Sequence, residues 1–414
     1  MLALQGEEFF LAKYGNAGAV QWVQQSDAGT TGYDLYGTGL AVDSSGNCYA
    51  LVFLDHSSGQ DLPVTFGSSS VIIPSGYQLC TILVKYDNTG AAQWTQLFGS
   101  SNQCYATAVS LDSSGNVYVA GAYKDSLRIG TTNFTNTGDK DGFVAKFNSA
   151  GIFQWARQMT GRSDSGVEAV APDAFGNLYV AGGFGNAAGD TNYFGSSITL
   201  TNIGGGFGNA AIGDAFLAKY DGATGTPQWA VRAGGTNADA YTGVAIDSET
   251  NVYVAGGTGG VAAPGGFTGF KAVVTKYDSD GVAQWTQSST GTNALVFGGP
   301  LLDARGNCYV AGMFQTTATF GTNALTGLGC LDYFLAKVGF TPLMLDFTWS
   351  NSLSRIRVFG AISSRFALEY ASPLATNNNW QSLVTNTITS NPLIVTDTNA
   401  VSNSNRFYRA RLIP

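Results

Sequence analysis

The chain has 414 residues, a formal net charge of −8 and a sequence pI near 4.6. That acidity excludes a nucleic-acid partner, because phosphate binding needs a basic face, and no run of 18 apolar residues offers a membrane span. Charged residues are only 12% against roughly 25% in an average domain, while 55 glycines and many aromatics suit short strands joined by tight turns.

The opening MLALQGEEFFLAKY lacks a basic stretch followed by a long apolar one, so no secretory signal is expected there as written. FFLAKY at 9–14 and the Gln-Trp segment around Trp22 read as two strands. A four-piece unit then recurs. Its first piece is apolar and ends in an aspartate, as in TGLAVD at 38–43 and TAVSLD at 107–112. Its second piece is of the form Asn-x-Tyr-Val-Ala-Gly. The linking Asp-x-x-Gly-Asn is hairpin-turn chemistry, since Asp accepts local backbone hydrogen bonds and Gly tolerates positive φ.

The turn aspartates are Asp43, Asp112, Asp173, Asp247 and Asp303, at separations of 69, 61, 74 and 56 residues. Five copies at a loose period make this a repeat architecture. The third piece carries a lysine at a fixed place: Lys13, Lys85, Lys146, Lys219, Lys276 and Lys337. These are six of the nine lysines, a property of the repeat and not of one catalytic site. A snorkelling lysine paired with a neighbouring repeat's carboxylate is the expectation. The fourth piece carries Trp22, Trp94, Trp155, Trp229 and Trp285, expected with the Tyr residues in the packing between repeats.

Long polar connections at 55–79, 122–140, 183–213, 257–270 and 313–331 separate the second and third pieces. Four contain an apolar residue before glycine (Phe66-Gly67, Ile129-Gly130, Phe194-Gly195, Phe320-Gly321), consistent with small extra hairpins. The GGGFGNAAIG stretch follows no strand-to-helix pattern and is not a phosphate loop.

Composition changes near Gly339. From 340 to 414 there is one glycine, Gly360, no lysine, and six arginines against Asp346, Glu369 and Asp397. Six strand-like pieces there, LDFTW to NRFYRARLI, suggest a small β-sandwich with a turn at 397–400.

A four-stranded sheet is too small to stand alone, and radial packing buries both its faces. The expected fold is therefore all-β: a β-propeller over 1–339 and a sandwich over 340–414. Five four-stranded blades are favoured, closed by an N-terminal strand. The alternative is part of a larger propeller, because FFLAKY at 9–14 competes with 333–338 for one place.

The succession Gln-Trp, Asp-x-x-Gly-Asn-x-Tyr-Val-Ala-Gly, Phe-Gly and Asp-x-Phe-Leu-Ala-Lys-Tyr resembles the SBBP-type β-propeller repeats of bacterial extracellular proteins. Asp141, Asp214 and Asp332 match the acid before the third strand, Glu8 stands there in the first copy, and Cys80 and Lys271 depart from it. The resemblance implies a secreted or surface location and carries over no catalytic residue. The tail resembles a small Ig- or fibronectin-like domain, which would make it a spacer, an anchor or a sorting element.

Other chemistry is sparse. Cys48, Cys80, Cys104, Cys308 and Cys330 are odd in number and lack zinc spacing. Cys48 and Cys308 read as small buried residues, and Cys48 with Cys80 as too distant for a disulfide. The one histidine, His56, lies in a connection, and no nucleophile elbow accompanies it. The turn Asp278-Ser-Asp280-Gly281 lacks the later carboxylate of a calcium loop. No catalytic residue, cofactor or metal is therefore assigned.

The reading is a monomeric, non-catalytic extracellular or cell-surface module binding a glycan or protein ligand. The connections 55–79 and 183–213 are its expected contact surface. The alternative, a polysaccharide hydrolase or lyase with its site over the propeller channel, requires an acidic cluster at one end of that channel, including residues such as Asp55, Asp61, Glu168 or Asp190.

Overall fold

A computed structural model describes residues 8–27, 33–56, 60–204, 213–263, 266–291, 293–303, 306–327, 331–338, 344–350, 353–359, 365–371, 380–387, 393–397 and 407–413. Among these every regular element is a strand. Two compact units emerge: Met1–Val282 with Thr286–Leu302 and Tyr309–Ala336, and Lys337–Pro414 with Ala283–Trp285 and Asp303–Cys308. Cys330, Glu7, the turn at 398–400 and most of the glycine stretch (205–212) lie outside the described residues.

In the first unit each repeat is an antiparallel meander. Repeat one runs Tyr33–Val42, Cys48–His56, Leu79–Tyr86 and Ala92–Gly99. Repeat two runs Gln103–Leu111, Val117–Lys124, Asp141–Phe147 and Phe153–Gly161. Repeat three runs Ser165–Pro172, Asn177–Phe184, Asp214–Asp221 and Pro227–Ala233. Repeat four begins with Ala238–Ile246, Val252–Ala263 and Lys271–Tyr277. The last repeat places Cys308–Phe314 between Ala294–Val296 and Asp332–Val338. Phe10–Tyr14 pairs with Val20–Asp27, so FFLAKY forms a hairpin of its own.

Strand periodicity explains the core. Alternate side chains point to opposite faces, so each sheet gives one set to the preceding repeat and one to the following repeat. Phe143, Ala145 and Phe147 pack with Leu51 and Leu83 of repeat one. Val144 on the same strand and Trp155 on the next pack with Val180 and Phe216 of repeat three. Full burial of a Phe of this kind contributes roughly 2–3 kcal/mol.

The expected extra hairpins are present, and they have partners. Leu62–Phe66 with Ser69–Ile73, Ser126–Ile129 with Thr132–Thr135, and Thr191–Phe194 with Ile198–Thr201 each form a ribbon. Each ribbon then pairs with the outermost strand of the repeat before it: Ser26 opposite Phe66, Arg128 opposite Gly99, Met159 opposite Phe194. An edge that would template foreign strands is thereby covered. The connections 55–79 and 183–213, expected to be contact loops, thus contain strands that tie repeats together.

The second unit holds two three-stranded antiparallel sheets. Met344–Ser350, Leu353–Phe359 and Leu393–Asp397 form one; Gln381–Thr387, Arg365–Ala371 and Phe407–Ile413 form the other. Ile356 and Val358 of the first cluster with Phe366 and Leu368 of the second. Buried Glu369 accepts from Arg409 at 2.6 Å.

Candidate functional site

The repeated polar residues converge at the turn end of each sheet. In the turn after the first strand, Asp43 Oδ1 accepts the backbone N–H groups of Ser45 and Asn47, and Oδ2 accepts Asn47 Nδ2 at 2.7 Å. Asp112, Asp173 and Asp247 do the same in their turns, and Asp303 accepts from Asn307. The Tyr hydroxyl two residues past the Asn adds a donor at Asp43, Asp112 and Asp247. A carboxylate so occupied organises a turn and is not free to act on a substrate. The glycine of this turn has φ between 76° and 86° at Gly46, Gly115, Gly176 and Gly306. Repeat four has Thr250 there at φ 67°, a costly place for a β-branched residue.

The lysines and tryptophans act as pairs. Lys13 Nζ and Trp22 Nε1 both donate to Asn88 O, each at 3.1 Å. Lys85 and Trp94 share Ser149 O, Lys146 and Trp155 share Gly222 O, and Lys219 and Trp229 share Ser279 O. In all four cases the acceptor lies in the turn between third and fourth strands of the next repeat. The indole lies against that turn's glycine, Gly90, Gly151, Gly225 or Gly281, which has positive φ and no side chain to obstruct it. Each lysine of repeats one to four also sits over its own repeat's tyrosine, 5.1 Å from the ring centre for Lys85 and Tyr49.

The expected carboxylate partner for these lysines is therefore corrected to a backbone carbonyl. The rigid turn presents that oxygen at a fixed place, and the turn carboxylates are already filled by N–H groups. Lys276 differs: its near group is Asp247 Oδ2 of its own repeat, at 3.7 Å. Trp285 lies in Ala283–Ser288 and Lys337 in Asp332–Val338.

A second regularity was not visible beforehand. The first strand of each of repeats one to four bulges by one residue: Thr38, Thr107, Glu168 and Thr242. Thr38 Oγ1 donates to Ala106 O, Thr107 Oγ1 to Val167 O, and Thr242 Oγ1 to Val296 O. Each acceptor is in the next repeat, and Ala106 and Val167 sit beside that repeat's bulge. Glu168 breaks the series because a carboxylate cannot donate. Its side chain reaches solvent but is walled by protein, and that burial raises its pKa.

At the opposite end of the sheets the carboxylates differ from copy to copy. Asp141 accepts Thr137 N and Gly161 N, yet burial holds its carboxyl up at about 6. Asp214 faces Arg232 at 3.0 Å while its Oδ1 has no donor, and burial raises its pKa against the arginine's pull. Asp164 is fully buried with no N–H or hydroxyl donor on either oxygen. Burial first, then the charge of Asp139, holds it at about 6. Asp139 itself is bonded to Lys124 at 2.6 Å and held below its ordinary range by that ammonium.

Of the acids named for an enzyme, Asp61 and Asp190 belong to separate hydrogen-bond networks. Asp61 accepts Ser75 N, Asp190 accepts Asn186 N, Ala187 N and Ser163 Oγ, Asp55 stands on Cys48–His56, and Glu168 is on the inner strand. Cys48, Cys80, Cys104 and Cys308 are buried free thiols. Cys48 pairs with Tyr86 and Cys80 with Leu54, at opposite ends of one strand pair, as their spacing implied. Burial pushes the Cys80 and Cys308 thiols up to about 11.

Residues 93–122 and 228–261 match the family model described as SBBP, Beta-propeller repeat. These segments run from the Gln-Trp strand through the Asp turn into the second strand, the part that carries the pairs described above. The chain is also 26% identical over 226 residues to "Uncharacterized WD repeat-containing protein L264" of Acanthamoeba polyphaga mimivirus. That alignment covers 50% of this chain and 15% of the viral protein. The chain carries β-propeller repeats, and its described residues form strands and no helix.

Proposed function

We propose that the chain is a non-catalytic binding module, secreted or displayed on a cell surface, that contacts a glycan or a protein. One observation carries this reading: the polar residues that recur in the repeats hold turns and neighbouring repeats together. The exposed residues outside these positions vary from copy to copy, and we place binding there.

Five blades are the finer architecture we favour, with the N-terminal strand that carries Trp22 completing the ring and the tail as an Ig- or fibronectin-like sandwich of a bacterial extracellular protein. Supporting closure, Phe10 and Tyr14 are 69% and 61% exposed, where their counterparts Phe143 and Phe147 are 1%. The first Gly turn, Gly15–Ala19, has the form of the four that receive a Lys–Trp pair, yet nothing lies within 4 Å of the Gly18 side-chain position. The same ring makes a monomer the expected state.

Retention of the folded chain on immobilised polysaccharides, with and without calcium, tests the function. Selective retention is the expected result. Release of new reducing ends from a retained polysaccharide would replace the reading with the hydrolase or lyase alternative.

A further inference from the structure

We propose that the groove between the turns Asp43–Asn47 and Asp112–Asn116 binds a neutral saccharide. This rests on the reading of the chain as a binding module and adds a place and a ligand class to it. The groove encloses about 480 Å3, inside the range of small-molecule sites.

Its walls are two copies of one pentapeptide. Asp-Ser-Ser-Gly-Asn occurs at 43–47 and again at 112–116, and the other three turns replace the serine pair with Ala-Phe, Ser-Glu and Ala-Arg. Only the junction of repeats one and two therefore has a serine pair on both sides. The turns need the backbone N–H groups of Ser45 and Ser114, not the hydroxyls. The hydroxyls of Ser44, Ser45, Ser113 and Ser114 have no hydrogen-bond partner among the described residues, and all four side chains are exposed. Four rotatable hydroxyls can each donate or accept, which matches the mixed edge of a sugar ring.

The rest of the lining selects among polar ligands. Val42, 56% exposed, and half-buried Leu111 give an apolar strip for the C–H face of a pyranose. Asp43 and Asp112 both border the groove. Burial pulls Asp43 upward, but the Asn47 and Ser45 N–H groups outweigh it and keep the carboxylate charged at neutral pH. The ammonium at the floor, Lys85, is already engaged by Ser149 O at 3.0 Å and the Tyr49 ring. Two carboxylates against one engaged ammonium disfavour sulfate, phosphate or a uronate, and favour an uncharged polyol.

The test uses the full chain titrated calorimetrically with cellobiose, maltose, lactose and chitobiose, with sodium sulfate and glucuronate alongside. Ser45→Tyr and Ser114→Tyr fill the groove while leaving the turn's backbone bonds in place, and circular dichroism checks that both fold. We expect one neutral disaccharide to bind, and each variant to weaken it by about tenfold or more, ~1.4 kcal/mol. Unchanged binding in both folded variants would overturn the site and leave the binding reading intact. Sulfate or glucuronate binding in place of the sugars would overturn the ligand class. If no sugar binds the folded wild-type chain the inference fails, and the glycan half of the proposed function fails with it only if the polysaccharide columns also retain nothing.

Discussion

The two ends of each repeat sheet are built on different terms. At the turn end, Asp43, Asp112 and Asp173 make the same bonds, and four Lys–Trp pairs find the same carbonyl in the next repeat. At the other end, Asp141 is capped, Asp214 is half-capped beside an arginine, and Asp164 is buried beside another acid. Regularity at the first end gives four successive junctions the same pair of bonds. Irregularity at the second leaves buried carboxyls with raised pKa values.

The largest expected break in this comparison is Trp155→Ala. The side chain is 6% exposed, fills the junction of repeats two and three, and bonds Gly222 O at 3.2 Å. Truncation should cost about 3–5 kcal/mol in denaturant unfolding. A loss below about 1 kcal/mol would show that the shared carbonyl is incidental.

Next comes Asp164→Asn. Asp164 is held at about 6 against an ordinary 3.8, so it binds its proton more tightly folded than unfolded. Its favourable contribution is complete below 3.8 and lost as pH rises through 6. The variant should therefore gain on the order of 2 kcal/mol at pH 7 and little at pH 4. Equal Tm shifts at both pH values would rule out this account.

Thr250→Gly should gain about 1 kcal/mol, since glycine holds this position in the four sister turns and positive φ strains threonine. Thermal melts of the variant beside Gly115→Thr, expected to lose a similar amount, would sharpen the point. The smallest effect is expected for Glu168→Thr. Restoring the hydroxyl at the one bulge that lacks it should add roughly 0.5–1 kcal/mol. A destabilised variant would mean that Glu168 already makes a bond that a threonine cannot replace.

Much of this fold was legible in the sequence because period-2 alternation and the Asp-x-x-Gly-Asn turn are local. They set strand positions through each residue's own backbone preferences, and the six tail strands from Met344–Ser350 to Phe407–Ile413 fall where alternation placed them. The recurrence of Lys and Trp marked both as repeat positions, though it pointed the lysine at the wrong kind of acceptor. The identity of a partner depends on which repeat's turn arrives beside the ammonium, and that is a contact about 65 residues away along the chain.

What the sequence by itself determined is the strand content, the turn chemistry and the equivalence of the copies. Only the tertiary structure decided that a carbonyl serves Lys85 and Trp94 together, that Thr38 and Thr107 link bulge to bulge, and that Asp164 lies dry beside Asp139. The reason is physical: turn and strand preferences act within a few residues. Burial and hydrogen-bond partnership arise only when separate sheets stack, and stacking brought the two serine-lined turns to opposite walls of one groove.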